Sequence, residues 1–474
     1  MFFRSYFDEK LAQYSYMVGC QKTGEAIVID PARDITPYVE TAKKEGFHLA
    51  AATETHIHAD FVSGARQLAH DHGSKLYLSD EGDKNWKYQY LNGLSATLVK
   101  DGDRFTIGHI KFKVMHTPGH TPESISFIVT DKGGGSDVPM GIFTGDFVFV
   151  GDVGRPDLLE KAAGVKGTAD AGALQTFDSI QRFKQLPDYL LVWPAHGAGS
   201  ACGKSLGAVP LSTVGYEKVN NWALQIEDKE EFHKELLKDQ PEPPKYFAMM
   251  KKVNKVGPKV LTNEEIPYIE TYKGLQGFLN QDNTVVVDTR NGIDFANGHI
   301  EGTINIPFSK IFTNWAGWML DYEQDIVLIA EKGQAKEIQL ALESIGLDRM
   351  IAFADPKAVS EADELEQYQN INIETFKAQY QNEDVYVMDI RQQAEWNAGH
   401  ISGAHHHMLG YLQDQLADLP KDKKMLVHCQ SGARSPIGTS VLQAAGFKNI
   451  ENVEGGFSVW KAAGEEVEKG ENES

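Results

Sequence analysis

The 474-residue sequence has few cysteines and no long apolar run. Cys20, Cys202 and Cys429 lie far apart, and such an odd, sparse set argues against a disulfide scaffold. We therefore expect a reducing, cytoplasmic location in which free thiols persist. No apolar stretch reaches the roughly 20 residues that span a bilayer, and the first residues lack the pattern of a signal peptide. We expect no membrane segment.

The chain also lacks an excess of positive charge. Its net charge is −21, with 67 acidic residues against 46 Lys and Arg. An acidic surface repels phosphate backbones, so a nucleic acid is not expected as a partner. Hydrophobic residues make up 41% and charged residues 24% of the chain, which is the balance of a globular protein. The length favours two to four domains, at roughly 100–200 residues each.

Composition and spacing predict where the domains end. The first part of the chain alternates short apolar strands with helical stretches, and its loops carry His, Asp or Gly. The proline-rich segment QPEPPK at 240–245 predicts the end of this domain, with a linker continuing to about residue 264. An acidic, weakly patterned stretch at 356–367 predicts another boundary. The predicted domains are 1–245, 265–356 and 368–474.

The second half of the chain contains an internal repeat. VVVDTRNGIDFANGHIEGTINIP at 285–307 is similar to VYVMDIRQQAEWNAGHISGAH at 385–405. Both segments run from an apolar strand through Asp-x-Arg to Gly-His-Ile. They predict two copies of one module of roughly 100 residues.

Four separated loops supply histidine or aspartate, each after an apolar strand. They are THIHAD at 55–60, PGHT at 118–121, TGD at 144–146 and PAHG at 194–197. A single His-x-His would be weak evidence, but four such elements in this order are a strong signal. Imidazole and carboxylate suit zinc, iron or manganese, so the loops together predict a metal site.

This order of motifs resembles the metallo-β-lactamase superfamily, whose αββα sandwich holds metal at one end of its two sheets. The binuclear zinc hydrolases of the superfamily usually have HxHxDH, and their final histidine binds a second metal. Phe61 stands at that position here, and a phenyl ring cannot coordinate a metal. The chain is therefore more similar to the single-metal persulfide dioxygenases of the superfamily.

The resemblance implies one Fe(II) ion per chain, held by His56, His120 and Asp146. Two imidazoles and one carboxylate, with open coordination positions, are the ligand set of non-haem Fe(II) oxygenases. Around these ligands the resemblance implies groups that orient them, with a second metal site as the alternative for the last: His58, Asp60 and His196.

Two further residues are candidates for contact with the substrate. Arg155 lies in the loop GDVGRPD and is suited to bind a carboxylate bidentately; an ion pair with Asp152 or Asp157 is the alternative. Cys202 lies in the glycine-rich stretch HGAGSACGKSLG. A persulfide relay, a regulatory thiol and an inert thiol are all open for it.

The strand MLVHC ends at Cys429 and is followed by QSGAR and a helical pattern. Backbone N–H groups at the start of that helix favour a thiolate or persulfide anion, so Cys429 is a candidate nucleophile. Arg434 is placed to hold an oxygen of sulfite or thiosulfate. With DIR, AGH and GGFxxW, this Cys-x4-Arg loop resembles a rhodanese domain, whereas a phosphatase would have five intervening residues.

The middle module lacks the same nucleophile. Aligning IVLIA with MLVHC places Ala330 opposite Cys429 and Ala335 opposite Arg434. A methyl group cannot carry sulfane sulfur, so a docking or spacer role is expected. The implied fold class is α/β: a metallo-β-lactamase αββα sandwich followed by two three-layer α/β/α rhodanese-like domains.

The domain order resembles the CstB-type fusions of a persulfide dioxygenase with rhodanese domains. The resemblance implies that O2 oxidises a thiol persulfide to sulfite and that Cys429 passes sulfane sulfur to sulfite, giving thiosulfate in sulfide detoxification. It implies these small molecules as partners, a persulfide-carrying protein as a further candidate, and a homo-oligomer. The alternatives are a zinc thioester hydrolase of the glyoxalase II kind fused to sulfurtransferase modules, and a non-enzymatic sulfur carrier.

Overall fold

The structure is a computed structural model that describes residues 1–163, 167–204, 206–238, 240–262 and 264–470. The last four residues of the predicted third domain lie outside the described residues. The chain divides into two compact units, the first of which contains Met1–Asn263. Within the described ranges, no helix is both long and apolar enough to cross a membrane.

The first unit alternates strands and helices. Its strands are β1 (Phe2–Asp8), β2 (Gln13–Cys20), β3 (Glu25–Ile29), β4 (His48–Thr53), β5 (Lys75–Ser79), β6 (Ala96–Val99), β7 (Arg104–Ile107), β8 (Ile110–His116), β9 (Ile125–Asp131), β10 (Gly141–Gly145), β11 (Val148–Phe149), β12 (Asp152–Val153), β13 (Leu191–Pro194) and β14 (Ser212–Thr213). Its helices are α1 (Thr36–Glu45), α2 (Ala65–His72), α3 (Leu158–Ala163), α4 (Thr168–Phe183), α5 (Val214–Asn220), α6 (Trp222–Gln225), α7 (Lys229–Leu237) and α8 (Tyr246–Val256).

Two six-stranded sheets form the centre of this unit. One has β1 to β6 in chain order, and the other has the order β14-β13-β10-β9-β8-β7. Alternate side chains of a strand point to opposite faces, so Tyr16 and Val18 enter the core between the sheets while Met17 packs under the helices. Phe112 and Phe127 complete the core from the second sheet. The predicted αββα sandwich is confirmed.

The predicted linker is partly wrong. Residues 246–256 form α8, whose Phe247, Met250 and Asn254 are buried. These positions recur at helical spacing, which outweighs the proline-rich entry QPEPPK as a structural signal. The first unit therefore extends beyond the predicted boundary at residue 245.

The second unit contains both repeats except for Glu343–Gly346, which are assigned to the first unit. The middle repeat has strands β15 (Tyr268–Ile269), β16 (Thr284–Asp288), β17 (Ile304–Asn305), β18 (Asp325–Ile329) and β19 (Met350–Ala354), with helices α9 (Tyr272–Leu279), α10 (Gly292–Asn297), α11 (Phe312–Met319), α12 (Ala335–Ser344) and α13 (Lys357–Ser360). The last repeat has strands β20 (Gln369–Ile371), β21 (Val385–Asp389), β22 (His405–His406), β23 (Lys424–His428) and β24 (Ile450–Val453), with helices α14 (Ile373–Gln379), α15 (Gln393–Ala398), α16 (Leu412–Gln415), α17 (Ser435–Ala444) and α18 (Gly456–Ala462).

The two repeats share one topology, and both sheets are parallel. Their strand orders are β15-β19-β18-β16-β17 and β20-β24-β23-β21-β22, which correspond strand for strand. Asp288 pairs with Ile329 in one sheet as Asp389 pairs with His428 in the other. Ala330 therefore occupies the position of Cys429, and the alignment made from sequence is confirmed.

The middle repeat packs against the last one near α17. The backbone N–H of Asn305 donates to Ser440 Oγ at 2.9 Å. Trp318 packs edge to face on Tyr411, with ring centroids 5.6 Å apart. A Cβ atom added to Gly410 would lie 2.3 Å from the Trp318 ring, so this approach requires glycine. The repeat without a cysteine thus supports the helix that follows Cys429.

Candidate functional site

The three predicted metal ligands meet in one buried group, here called the metal cluster: His56, His120 and Asp146. Asp146 Oδ2 lies 4.0 Å from His56 Nε2 and 3.5 Å from His120 Nε2. His56 Nε2 and both carboxylate oxygens of Asp146 are buried without a hydrogen-bond partner. Buried polar atoms of this kind destabilise a fold unless something satisfies them. Two imidazole nitrogens and a carboxylate therefore fit a metal ion.

Contacts around the metal cluster prepare its histidines for coordination. Burial, then the nearby His58 and His120, lowers the pKa of His56 well below its usual value, so this ring is neutral at pH 7. Its Nδ1 lies 3.0 Å from Thr55 Oγ1. The Nδ1 of His120 lies 2.9 Å from the carbonyl oxygen of Arg155. Partners on the far nitrogen fix the ring orientation and leave Nε2 for a metal.

His58 lies beside the metal cluster, with its ring centroid 4.3 Å from that of His56. Its Nε2 lies 3.0 Å from Asp30 Oδ1. Burial opposes the charge on this ring, but Asp30 outweighs burial and raises the pKa of His58 to about 9. Phe61 is fully buried, with its ring centroid 4.3 Å from that of His58.

A second group of ligand atoms adjoins the metal cluster. Asp60, His196 and Cys202 place one such atom each within 4.8 Å of one another. His196 Nε2 lies 3.0 Å from Asp60 Oδ2 and 3.5 Å from Asp146 Oδ1. This geometry is compatible with both predicted roles of His196, as a group that orients the metal ligands and as a ligand of a second metal. Burial, followed by the charge of Asp146, raises the pKa of Cys202 to about 12.

Arg155 forms an ion pair with Asp157, which was the alternative to a contact with the substrate. Its guanidinium is fully buried and donates to Asp157 through Nε and Nη2, at 2.7 and 2.6 Å. Burial would raise the pKa of Asp157, but the hydrogen bonds and charge of Arg155 lower it. The ion pair with Asp157, given above as the alternative, is therefore present in this structure, and contact of Arg155 with a substrate anion stays a prediction. The carbonyl oxygen of Arg155 orients His120.

Asn254 of helix α8 binds the backbone of the metal-binding loop, and the sequence analysis did not identify it. Asn254 is 1% exposed, and its side chain makes three hydrogen bonds to the backbone of the loop. Nδ2 donates to the carbonyl oxygens of His58 and Phe61 at 2.9 and 2.7 Å, and Oδ1 accepts from the Ser63 N–H at 2.9 Å. The helical spacing of residues 247–254 is the signal that could have revealed it.

Replacing Asn254 with alanine is expected to weaken metal binding by about tenfold or more. Loss of a residue that orients metal ligands without binding the metal itself typically has an effect of this size. The change leaves two buried carbonyl groups and one N–H unpaired. Competition with a chelator measures the metal affinity. Asn220→Ala is the control, since that exposed side chain donates to Tyr216 O within its own helix. Unchanged affinity combined with reduced thermal stability would show a purely structural contact.

The Cys429 loop, residues 429–434, forms the predicted anion cradle. Cys429 Sγ accepts from the backbone N–H groups of Gly432 and Arg434 at 3.2 and 3.4 Å. It also lies 3.7 Å from Ser435 Oγ, at the first residue of α17. Convergent N–H donors stabilise a thiolate or a persulfide anion.

The GGFxxW motif closes the Cys429 loop from the opposite side. The N–H of Phe457 donates to the carbonyl oxygen of Cys429, and that of Ser458 to Gln430 O, both at 2.8 Å. Gly456 has a φ of 52°. A Cβ atom there would lie 2.1 Å from the Cys429 carbonyl oxygen, so only glycine fits.

Arg434 is in the Cys429 loop, but its guanidinium already has a partner. Nη1 and Nη2 donate to the Glu395 carboxylate at 2.6 and 2.7 Å. Burial opposes the charge of Arg434, but the hydrogen bonds with Glu395 prevail and raise its pKa. The predicted contact with a sulfur oxyanion is therefore occupied by a side chain of the protein. Sequence reasoning missed Glu395, although its place in the first turn of α15 is typical of a helix-capping residue.

Comparison with known proteins agrees with this architecture. Residues 9–196 match the Metallo-beta-lactamase superfamily, and residues 271–355 and 372–463 match the Rhodanese-like domain. A crystal structure of a metallo-beta-lactamase from Staphylococcus aureus subsp. aureus COL is 45% identical, with a TM-score of 0.68, and the match covers 75% of this chain and 99% of that chain. The chain belongs to the metallo-β-lactamase superfamily and carries two rhodanese-like domains after its metal-binding domain.

Two relatives match the first domain and differ in their chemistry. A probable polyketide biosynthesis zinc-dependent hydrolase, BaeB of Bacillus velezensis, is 27% identical over 222 residues, which are 47% of this chain and 85% of the relative. The mitochondrial persulfide dioxygenase ETHE1 of Homo sapiens is 28% identical over 200 residues, which are 41% of this chain and 67% of the relative. The relatives thus support a metalloenzyme, and its reaction has to be argued from the site.

Proposed function

We propose that the chain is an Fe(II)-dependent persulfide dioxygenase coupled to a sulfurtransferase that forms thiosulfate. The observation that carries this proposal is the HxHxD loop. His58 is paired with Asp30, and Phe61 stands where binuclear hydrolases have a ligand. Among the described residues, His56, His120 and Asp146 are then the ligand set that we propose for one ion, and such a set leaves coordination positions open.

In the first stage, a persulfide R–S–SH, O2 and water would give the thiol R–SH and sulfite. Fe(II) held by the metal cluster would supply the redox chemistry of this oxidation. The residues of the chain hold the ligands: Thr55 and the Arg155 carbonyl orient the two imidazoles, and Asn254 fixes the loop. The buried surroundings exclude bulk water, which strengthens every electrostatic interaction in the site.

In the second stage, the Cys429 thiolate attacks the outer sulfur of another persulfide, and R–S⁻ leaves. The sulfite lone pair then attacks the outer sulfur of the Cys429 persulfide. The sulfur–sulfur bond to Sγ breaks, Cys429 leaves as thiolate, and thiosulfate forms. The N–H groups of Gly432 and Arg434 stabilise the sulfur anion before and after transfer.

The proposal extends to partners and cellular setting. The substrates would be small thiol persulfides, or a protein that carries a persulfide, and the reaction would detoxify sulfide in the cytoplasm. A homo-oligomer is proposed by resemblance alone. The net charge of −21 argues against a nucleic-acid partner.

Metal analysis of the full chain purified without oxygen, combined with oxygen uptake on glutathione persulfide, tests the proposal. We expect one iron per chain and uptake that depends on it. The competing zinc hydrolase would use the second ligand group, Asp60, His196 and Cys202, which adjoins the metal cluster. Two zinc ions per chain in active protein, with thioester hydrolysis and no oxygen uptake, would establish that alternative.

A further inference from the structure

Two arginines are present at the Cys429 loop, Arg434 within it and Arg391 beside it, and each is paired with a carboxylate. Arg391 bonds to Asp389 at 2.7–3.0 Å and donates to Gln430 Oε1 at 3.1 Å. Arg434 bonds bidentately to Glu395. The positive charge expected for an oxyanion site is therefore matched by negative charge from the protein.

The two pairs differ in how far solvent reaches them. The side chains of Arg391 and Asp389 are 1% and 0% exposed, so this pair is sealed within the fold. Those of Arg434 and Glu395 are 16% and 29% exposed. Of these two pairs, Arg434–Glu395 is the one that an incoming anion can reach. A partly exposed ion pair contributes little to stability, so an anion can displace its carboxylate.

We propose that Glu395 controls the oxyanion affinity of the Cys429 site, where its carboxylate competes with sulfur oxyanions for the Arg434 guanidinium. The inference rests on the proposed sulfur transfer. Sulfite brings two negative charges to a persulfide that is itself an anion, and the product thiosulfate must leave. A carboxylate that re-pairs with Arg434 weakens binding of both oxyanions and favours release of thiosulfate.

Glutamine at position 395 separates this role from a structural one. Glu395 Oε2 also accepts from the Gln392 N–H at 3.0 Å, at the start of α15. A glutamine carbonyl can keep that bond and one bond to Arg434, so Glu395→Gln removes the charge and largely keeps the helix start. Glu374→Gln is the matched control: it removes one carboxylate from the same domain, at a side chain that is 76% exposed.

Full-length protein is assayed without oxygen for thiosulfate formed from glutathione persulfide and sulfite, with the Cys429→Ser background subtracted. We expect Glu395→Gln to lower the KM for sulfite about fivefold, the size of an ion-pair contribution, with kcat not increased. The KM should also depend more steeply on ionic strength, because the freed guanidinium attracts the dianion. Glu374→Gln should leave both constants unchanged.

An unchanged or raised KM for sulfite in Glu395→Gln, with active wild-type protein, would overturn the inference. A lower kcat together with a lower melting temperature and no fall in KM would assign Glu395 a structural role, which also overturns it. Wild-type protein that forms no thiosulfate above the Cys429→Ser background would refute the proposed transferase itself. The two failures are therefore distinguishable.

Discussion

Asp146→Ala is expected to abolish oxygen uptake on glutathione persulfide and to reduce bound iron to a small fraction of one ion per chain. Asp146 lies between the two groups of ligand atoms. Its Oδ2 faces His56 and His120, while its Oδ1 lies 3.5 Å from His196 Nε2. Loss of a residue that only orients metal ligands already reduces metal affinity by about 10- to 100-fold. Loss of a ligand itself should therefore reduce the affinity by more than about 100-fold.

The same substitution should not destabilise the metal-free protein. Both carboxylate oxygens of Asp146 are buried and lack hydrogen-bond partners, and the nearest imidazole nitrogens, of His120 and His196, are 3.5 Å away, so removing the carboxylate removes a poorly compensated charge. We expect the melting temperature of the metal-free variant to equal or exceed that of metal-free wild type. If Asp146 served only to stabilise the fold, the metal-free variant would instead melt at a lower temperature than metal-free wild type.

Asp178→Ala is the control for this experiment. Asp178 is exposed on α4 and pairs with Lys229 at 2.8 Å, so its loss should change uptake and iron content by less than about twofold. Iron per chain, oxygen uptake and melting temperature are measured on both variants. Retained uptake in Asp146→Ala would remove Asp146 from the ligand set.

The metal cluster could be predicted because each ligand sits in a short motif at a strand end. Its supports could not, because they depend on contacts between distant parts of the chain. Asn254 lies 196 positions from His58, and Glu395 lies 39 positions from Arg434. Residue type indicates that an arginine can bind an anion, but only packing decides which anion it meets.

The repeated Asp-x-Arg and Gly-His elements illustrate a different limit. In the last repeat, Arg391 bonds to Asp389 and to the carbonyl oxygen of Gly399. In the middle repeat, Arg290 makes the same bonds, to Asp288 and to Gly298 O. The motif identified the rhodanese-like fold correctly, but it persists where the nucleophile is missing. It is therefore a structural brace, and the transfer chemistry depends on the Cys429 loop.

Cys429→Ser is expected to uncouple the two stages. Oxygen uptake should stay within about twofold of wild type, because the metal cluster belongs to a different domain. Thiosulfate should fall at least about 100-fold and sulfite should accumulate, since a hydroxyl is a poor nucleophile near pH 7 and the contacts described for Sγ are N–H groups and the Ser435 hydroxyl, which do not activate it. A serine oxygen can accept the same N–H bonds from Gly432 and Arg434, so the loop should keep its fold.

Cys20→Ser is the thiol control for this prediction. Cys20 is buried between the sheets of the first domain, where its Sγ accepts the His109 N–H at 3.3 Å. Its loss should leave the ratio of thiosulfate to sulfite unchanged, because that thiol lies outside both sites. Oxygen consumption, sulfite and thiosulfate are measured together over one time course. If Cys429→Ser gave as much thiosulfate as wild type, sulfur transfer would have to occur at another thiol, and the two-stage scheme would be wrong.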